Sequence, residues 1–233
     1  MILADVGTVE RRIEKVQGMA KARPRDFADQ LAWLAGLHRH LNDGLPAYGY
    51  EPALHADWTI DLSLLSAKPR LLVANVAESD LPEGGKWAAD LRRRAGQDGV
   101  PCLVLCAACE AELAEWPVDE AAAYRADLGL PESGLVRLIH AGYRLLNLIT
   151  FFTITGGKET RAWTLRAGST AYEAAGLIHS DIQRGFIRAE VAPERVIVAS
   201  GGMAAARSTG QLRLEGRDYV VQDGDVIHFR FNV

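Results

Sequence analysis

The chain has 233 residues, 48% of them hydrophobic and 24% charged, with a formal net charge of −4. That length supports one large or two small domains with a real hydrophobic core. The charge balance excludes a general nucleic-acid coat protein and leaves a local basic face open. Three cysteines, an odd number, suit a reducing compartment better than a disulfide framework. No run approaches the roughly 20 apolar residues of a membrane span, and Met1-Ile2-Leu3-Ala4-Asp5 lacks the basic-then-apolar layout of a signal peptide. The expectation is a cytoplasmic protein with no membrane partner.

Residues 1–45 read as a helical hairpin. Val6, Val9, Ile13 and Val16 recur at three- and four-residue steps, and so do Phe27, Leu31, Leu34, His38 and Leu41. Arg23-Pro24-Arg25-Asp26 places a proline where a turn or a new helix starts. Gly7, Gly18 and Gly36 weaken these helices. Residues 44–68, with their glycines, prolines and scattered aromatics, read as a connector with a short helical piece.

Arg70-Leu71-Leu72-Val73-Ala74-Asn75 is an apolar run ending in a polar residue, the pattern of a buried parallel strand with functional residues at its end. Trp87–Ala95 reads as a helix. Val100–Cys106 reads as a second buried strand, Cys109–Tyr124 as a helix and Leu135–Leu146 as another. Strand and helix alternate, as in a piece of a parallel α/β sheet.

After Leu148 the pattern changes. Thr150–Ile154 and Thr160–Leu165 flank Thr155-Gly156-Gly157-Lys158-Glu159, a hairpin signal. Thr170 and Glu173 form a capping-box pattern that opens a helix to about Ile178. Strands follow at Phe186–Val191, Leu212–Leu214 and Val226–Phe231. In the last, Ile227, Phe229 and Phe231 alternate with Val226, His228 and Arg230, predicting one buried and one solvated face. Two strands, a helix and further strands is the order of a β-grasp, ubiquitin-like module.

The sharpest chemical signal is Asn75-Val76-Ala77-Glu78 at the end of the first strand. In GTPases an Asn-Lys-x-Asp motif at such a place reads guanine. A carboxylate one methylene longer disturbs that bidentate fit and relaxes guanine selectivity. An Asn and a Glu after a strand also serve as a cap and a solvated charge. Cys106-Ala107-Ala108 follows the second strand, a small-residue turn able to offer backbone N–H groups at close approach. Cys102, Cys106 and Cys109 are the competing metal reading, short of the four ligands that such sites usually need. No G-x-x-x-x-G-K-[ST] phosphate loop occurs: Gly157-Lys158 is followed by Glu159, and Gly85-Lys86 by Trp87. His38 and His40 lie two apart on a helix and do not face one site. His179, Arg184, Arg188 and His228 could form a cationic surface or a solvated sheet face. Glu110, Glu112 and Glu115 read as an ordinary charged helix face.

Three longer stretches carry a resemblance: Arg161-Ala162-Trp163-Thr164-Leu165-Arg166-Ala167-Gly168, Gly176-Leu177-Ile178-His179-Ser180-Asp181, and Gln222-Asp223-Gly224-Asp225-Val226-Ile227-His228-Phe229-Arg230-Phe231-Asn232-Val233. With Asn75-Val76-Ala77-Glu78, and with Met1–Arg12 similar to a segment that follows the phosphate-binding motifs, the chain resembles the C-terminal two thirds of a YchF-type Obg-like ATPase carrying a TGS domain.

The fold class this implies is α/β: part of a P-loop NTPase parallel sheet with a helical hairpin insertion, then a β-grasp TGS domain. The expected divisions are 1–68 for hairpin and connector, 69–148 for the NTPase part and 149–233 for TGS. The resemblance implies an ATP- and GTP-binding, ribosome-associated hydrolase with Mg2+. It assigns the base-contacting role to Asn75, Val76 and Glu78, with Cys106, Ala107 and Ala108 completing the pocket. It assigns no metal ligand and no catalytic residue here. Without the phosphate loop the chain is expected to be a truncated form, to bind no nucleotide tightly and to be inactive alone. Ribosome or RNA contact through the TGS module and hairpin, and self-association through the uncovered sheet, complete the expected partners. The alternative is an adaptor that binds RNA or the ribosome without nucleotide.

Overall fold

The computed structural model describes residues 1–50, 62–130, 132–155 and 159–232, and the chain divides into two units, Met1–Arg70 and Leu71–Val233. Part of the expected 44–68 connector, and the Gly156-Gly157-Lys158 tip of the expected hairpin, lie outside the described residues.

The first unit is built on two helices, α1 (Ile2–Ala20) and α2 (Pro24–Asn42). Pro24 stands in the first turn of α2, where a missing N–H costs nothing. The expected seam forms: Val9, Val16, Leu34 and Leu41 are buried, with Val6, Ile13, Phe27 and Leu31 packed on them. Trp33 and Leu37 join them, so the apolar stripe of α2 is wider than its three–four spacing suggested. His38 sits at the edge of the seam and pairs with Glu10 of α1 at 3.0 Å. Gly7 and Gly18 do not break α1. Buried Asp5 fastens the start of α1 to the connector, accepting hydrogen bonds from Leu65 N–H (2.8 Å), Ser66 N–H (2.7 Å) and Ser66 Oγ (2.6 Å).

The second unit opens with β1 (Leu72–Asn75), α3 (Gly85–Gln97) and β2 (Cys102–Leu105). β1 and β2 pair in parallel, Leu72 opposite Cys102 and Asn75 opposite Leu105. They are not covered on both faces as an apolar run implies, because Val73 is 40% exposed. Next come α4 (Ala107–Leu113), α5 (Val118–Asp127) and α6 (Gly134–Leu145). The single helix expected over 109–124 is therefore two. Pro117 has no N–H to give and its ring clashes with a preceding helical turn, so it ends one helix and its carbonyl starts the next by accepting from Ala121 N–H at 3.0 Å.

A five-stranded mixed sheet follows. Its strands are β3 (Leu148–Thr155), β4 (Glu159–Arg166), β5 (Phe186–Pro193), β6 (Arg213–Glu215) and β7 (Asp225–Phe231), in the order β4-β3-β7-β5-β6. β3 runs parallel to β7, and the other pairings are antiparallel. Helix α7 (Ala171–Ile178) carries the predicted capping box: Thr170 Oγ1 accepts from Glu173 N–H and the Glu173 carboxylate accepts from Thr170 N–H. Phe151, Leu165, Ala174, Phe186, Val191, Ile227 and Phe229 form the main core of this region.

The predicted alternation along β7 needs correction at both ends. Val226 is buried and Phe231 is 46% exposed. Val226 is covered by two helices the sequence did not announce, α9 (Glu194–Ser200) and α10 (Met203–Ser208), which follow the short α8 (Ser180–Arg184) in chain order. Ala192, Ile197, Ala206 and Val226 pack together in a second cluster, so both faces of the sheet are partly covered. Gly201, in the left-handed region at φ 78°, closes α9. Among the described residues no helix is long and apolar enough to cross a membrane.

Candidate functional site

The C-terminal ends of β1 and β2 lie side by side because the strands pair in parallel and in register. Val76 N–H continues the ladder by donating to Leu105 O at 2.9 Å. Immediately beyond, the Asn75 side chain crosses to the neighbouring loop, and its Oδ1 accepts from Ala107 N–H at 3.0 Å. The buried Cys106 caps α4, its Sγ accepting from Cys109 N–H at 3.4 Å. Asn75, Val76, Cys106, Ala107 and Ala108 thus sit where the two strands end and α4 begins, tied directly together.

Glu78 begins a single 3-10 turn, Glu78–Asp80, and its exposed carboxylate accepts a hydrogen bond from the Tyr124 hydroxyl of α5. The Tyr124 ring leans on Trp116, with centroids 5.4 Å apart. Glu78, Cys109, Glu112, Leu113, Trp116 and Tyr124 line a recess of about 100 Å³. The hydrogen bond and the charge of Glu78 push the Tyr124 phenol up to about 12. Burial, and then Glu78, also push the Cys109 thiol up.

Glu110 is not the solvated charge the sequence suggested. It accepts from Gly134 N–H at 2.6 Å and Ser133 Oγ at 3.0 Å, and it faces Arg125 at 3.6 Å, so it anchors the start of α6 to α4. Tyr124 and Glu110 carry no local sequence signal, because each acts on a residue brought close only by the fold. The three cysteines are free thiols. Among the described residues no group of three His, Cys, Asp or Glu side chains is placed to hold a metal ion.

The cationic residues of the C-terminal region do not converge as a set. His179 and Arg184 both turn to Asp181, at 3.6 and 2.5 Å. Arg188 and His228 instead belong to the β5–β7 face, where Arg188 pairs with Arg230 and Glu190 with His228 across the ladder. Buried Glu190 accepts from Arg230 Nε at 3.2 Å and from Arg207 of α10. Burial works to raise the Glu190 carboxyl, and the two arginines outweigh it, holding it below its usual range. Burial, then Arg230, lowers His228 despite the opposing pull of Glu190.

Two parallel strands whose ends are tied to each other, continued through helices into a five-stranded mixed sheet, define a mixed α/β protein. A family model described as YchF-GTPase_C, protein of unknown function, matches residues 148–232. The "Ribosome-binding ATPase YchF" of Bacillus subtilis (strain 168) is 45% identical over 236 residues, covering 100% of this chain and 64% of the relative. Its namesake from Haemophilus ducreyi is 42% identical with the same coverage of each chain, 100% and 64%. The solved structure of the Schizosaccharomyces pombe YchF GTPase matches with a TM-score of 0.82 at 26% identity, covering 98% of this chain and 63% of that one. The chain is thus similar over its whole length to proteins named YchF, and it spans 64% of the length of the curated relatives it matches.

Proposed function

We propose that the loop pair at Asn75–Glu78 and Cys106–Ala108 is the purine-reading half of an ATP or GTP site, in a protein that works at the ribosome in the cytoplasm. The observation that carries this reading is the Asn75 Oδ1···H–N Ala107 bond of 3.0 Å, which fixes the two loops as one surface. Asn75 spends its carbonyl on that bond, leaving its amide hydrogens for a base acceptor, while Glu78 supplies an acceptor for a base N–H. The loop pair contains amide, small and carboxylate groups and no lysine or arginine, a set suited to a base edge rather than to phosphates or magnesium. The relatives' names, ribosome-binding ATPase, support both nucleotide and ribosome as partners of the whole protein.

The proposed division is a hairpin and connector over 1–68, a part of a P-loop NTPase sheet over 69–148 and a TGS β-grasp domain over 149–233. The β-grasp reading is supported by the strand order, in which the first and last strands of the region run parallel at the centre with a hairpin on one side. Hydrolysis would require phosphate and magnesium ligands that these 233 residues do not offer as a P-loop motif. Exposed Val73 and Trp87 support self-association through the parallel-strand region.

Calorimetric titration with ATP and with GTP, magnesium present, tests the reading. No heat up to about millimolar nucleotide is expected from base contacts alone. Micromolar binding would mean that phosphate contacts exist on this chain and would overturn the half-site reading. A second reading, a nucleotide-independent RNA or ribosome adaptor, is favoured by one observation: two arginines, Arg207 and Arg230, pair with the single carboxylate of Glu190, leaving that face with an excess of positive charge. It predicts ribosome association that weakens with salt and ignores ATP.

A further inference from the structure

We propose that Tyr124 sets which purine the loop pair accepts, by holding Glu78 so that only one carboxylate oxygen is presented to the base. The inference rests on the base-site reading and goes beyond it in naming the residue that selects the base. Tyr124 lies 46 positions beyond Glu78, on α5, and donates its hydroxyl hydrogen to Glu78 Oε1. Trp116 leans on the ring, with centroids 5.4 Å apart, and the recess that the two rings line together with Glu78, about 100 Å³, is too small to admit a purine. The tyrosine is therefore a wall of the site, and it acts through Glu78.

The chemistry of the bases then decides the preference. Guanine presents two adjacent donors, N1–H and N2–H, and a carboxylate meets them with both oxygens in one plane. Adenine presents one amino donor beside an acceptor. A carboxylate whose Oε1 is committed to a phenol, in a plane set by that phenol, satisfies one donor well and two poorly. The unmet guanine donor is a desolvated group without a partner, and discrimination of this kind comes from that penalty more than from any gain with the favoured ligand. The raised pKa of the phenol, about 12, keeps it a donor throughout the physiological range.

The test is an amide NMR titration of the full chain with adenosine and guanosine 5′-monophosphates, in the natural sequence, Tyr124→Phe, Glu78→Gln and the double variant. The natural chain should favour the adenine nucleotide. Tyr124→Phe should shrink that preference by about fivefold, the worth of one hydrogen bond, and should change nothing further once Glu78 is Gln. An unchanged preference in Tyr124→Phe, with Asn75 and Ala107 amides still moved by both nucleotides, overturns the role of Tyr124 and leaves the site reading standing. Amides of Asn75, Val76 and Ala107 that respond to neither nucleotide in the natural chain overturn both. Titration of carbon-13-labelled tyrosines supplies a readout that a merely structural role would not move. Tyr124 should ionise at markedly lower pH in Glu78→Gln, and an unaltered titration there contradicts the contact.

Discussion

Asn75 shows how much depends on one amide. Its oxygen is the link between two loops that belong to different strands. Asn75→Ala should cost only about 1 kcal/mol of stability, since the bond is exposed and its neutral partners are resolvated by water; urea unfolding measures this. Asp5 is the opposite case, a buried carboxylate with three donors around it. Asp5→Ala leaves two backbone N–H groups and a hydroxyl without an acceptor and should cost about 3 kcal/mol, again read by urea unfolding. Glu190 adds a pH signature. Its folded pKa lies below the ordinary 4.5, so the unfolded chain takes up the proton first as pH falls. Its contribution is complete above the ordinary value and is lost as pH drops through the lower folded value. Glu190→Gln should flatten the fall in stability below about pH 5, and an acid limb as steep as the natural one would contradict the arginine clamp. Asn75 and Glu78 were visible as candidates because a polar pair directly after an apolar strand stands out. Tyr124 was not, since nothing near it in sequence marks its partner.

At the scale of elements, α1 and α2 make contrasting predictions. A methyl placed on Gly7 or Gly18 meets nothing within 4 Å, whereas one on Gly36 runs into the Tyr50 hydroxyl. Gly7→Ala and Gly18→Ala should each raise stability by about 0.5–1 kcal/mol through helix propensity, and Gly36→Ala should lower it, all measurable as shifts in thermal midpoint. Thr170→Ala removes half of the capping box and should cost about 1 kcal/mol. The helical hairpin and the capping box could be read ahead of structure because both depend on spacings of three and four residues. The break at Pro117 was also written in the sequence, but the apolar spacing on either side of it masked the proline. Helices α9 and α10 were missed for another reason. Their small residues, Ala204, Ala205 and Ala206 among them, give little amphipathic pattern, and their helicity follows from packing against Ala192 and Val226.

For the whole molecule, the parallel pair and the mixed sheet form one unit and the helical hairpin another. That grouping follows long-range pairings, such as Phe152 with Val226, that no local spacing reveals. The chain's function turns on whether the loop pair reads a purine base. The decisive measurement is the response of the Ala107 and Val76 amides to adenosine 5′-monophosphate in the natural chain and in Asn75→Ala. Shifts confined to residues 75–78 and 106–108, and abolished by Asn75→Ala, are the predicted result. Shifts centred elsewhere, or unchanged by the substitution, would contradict it.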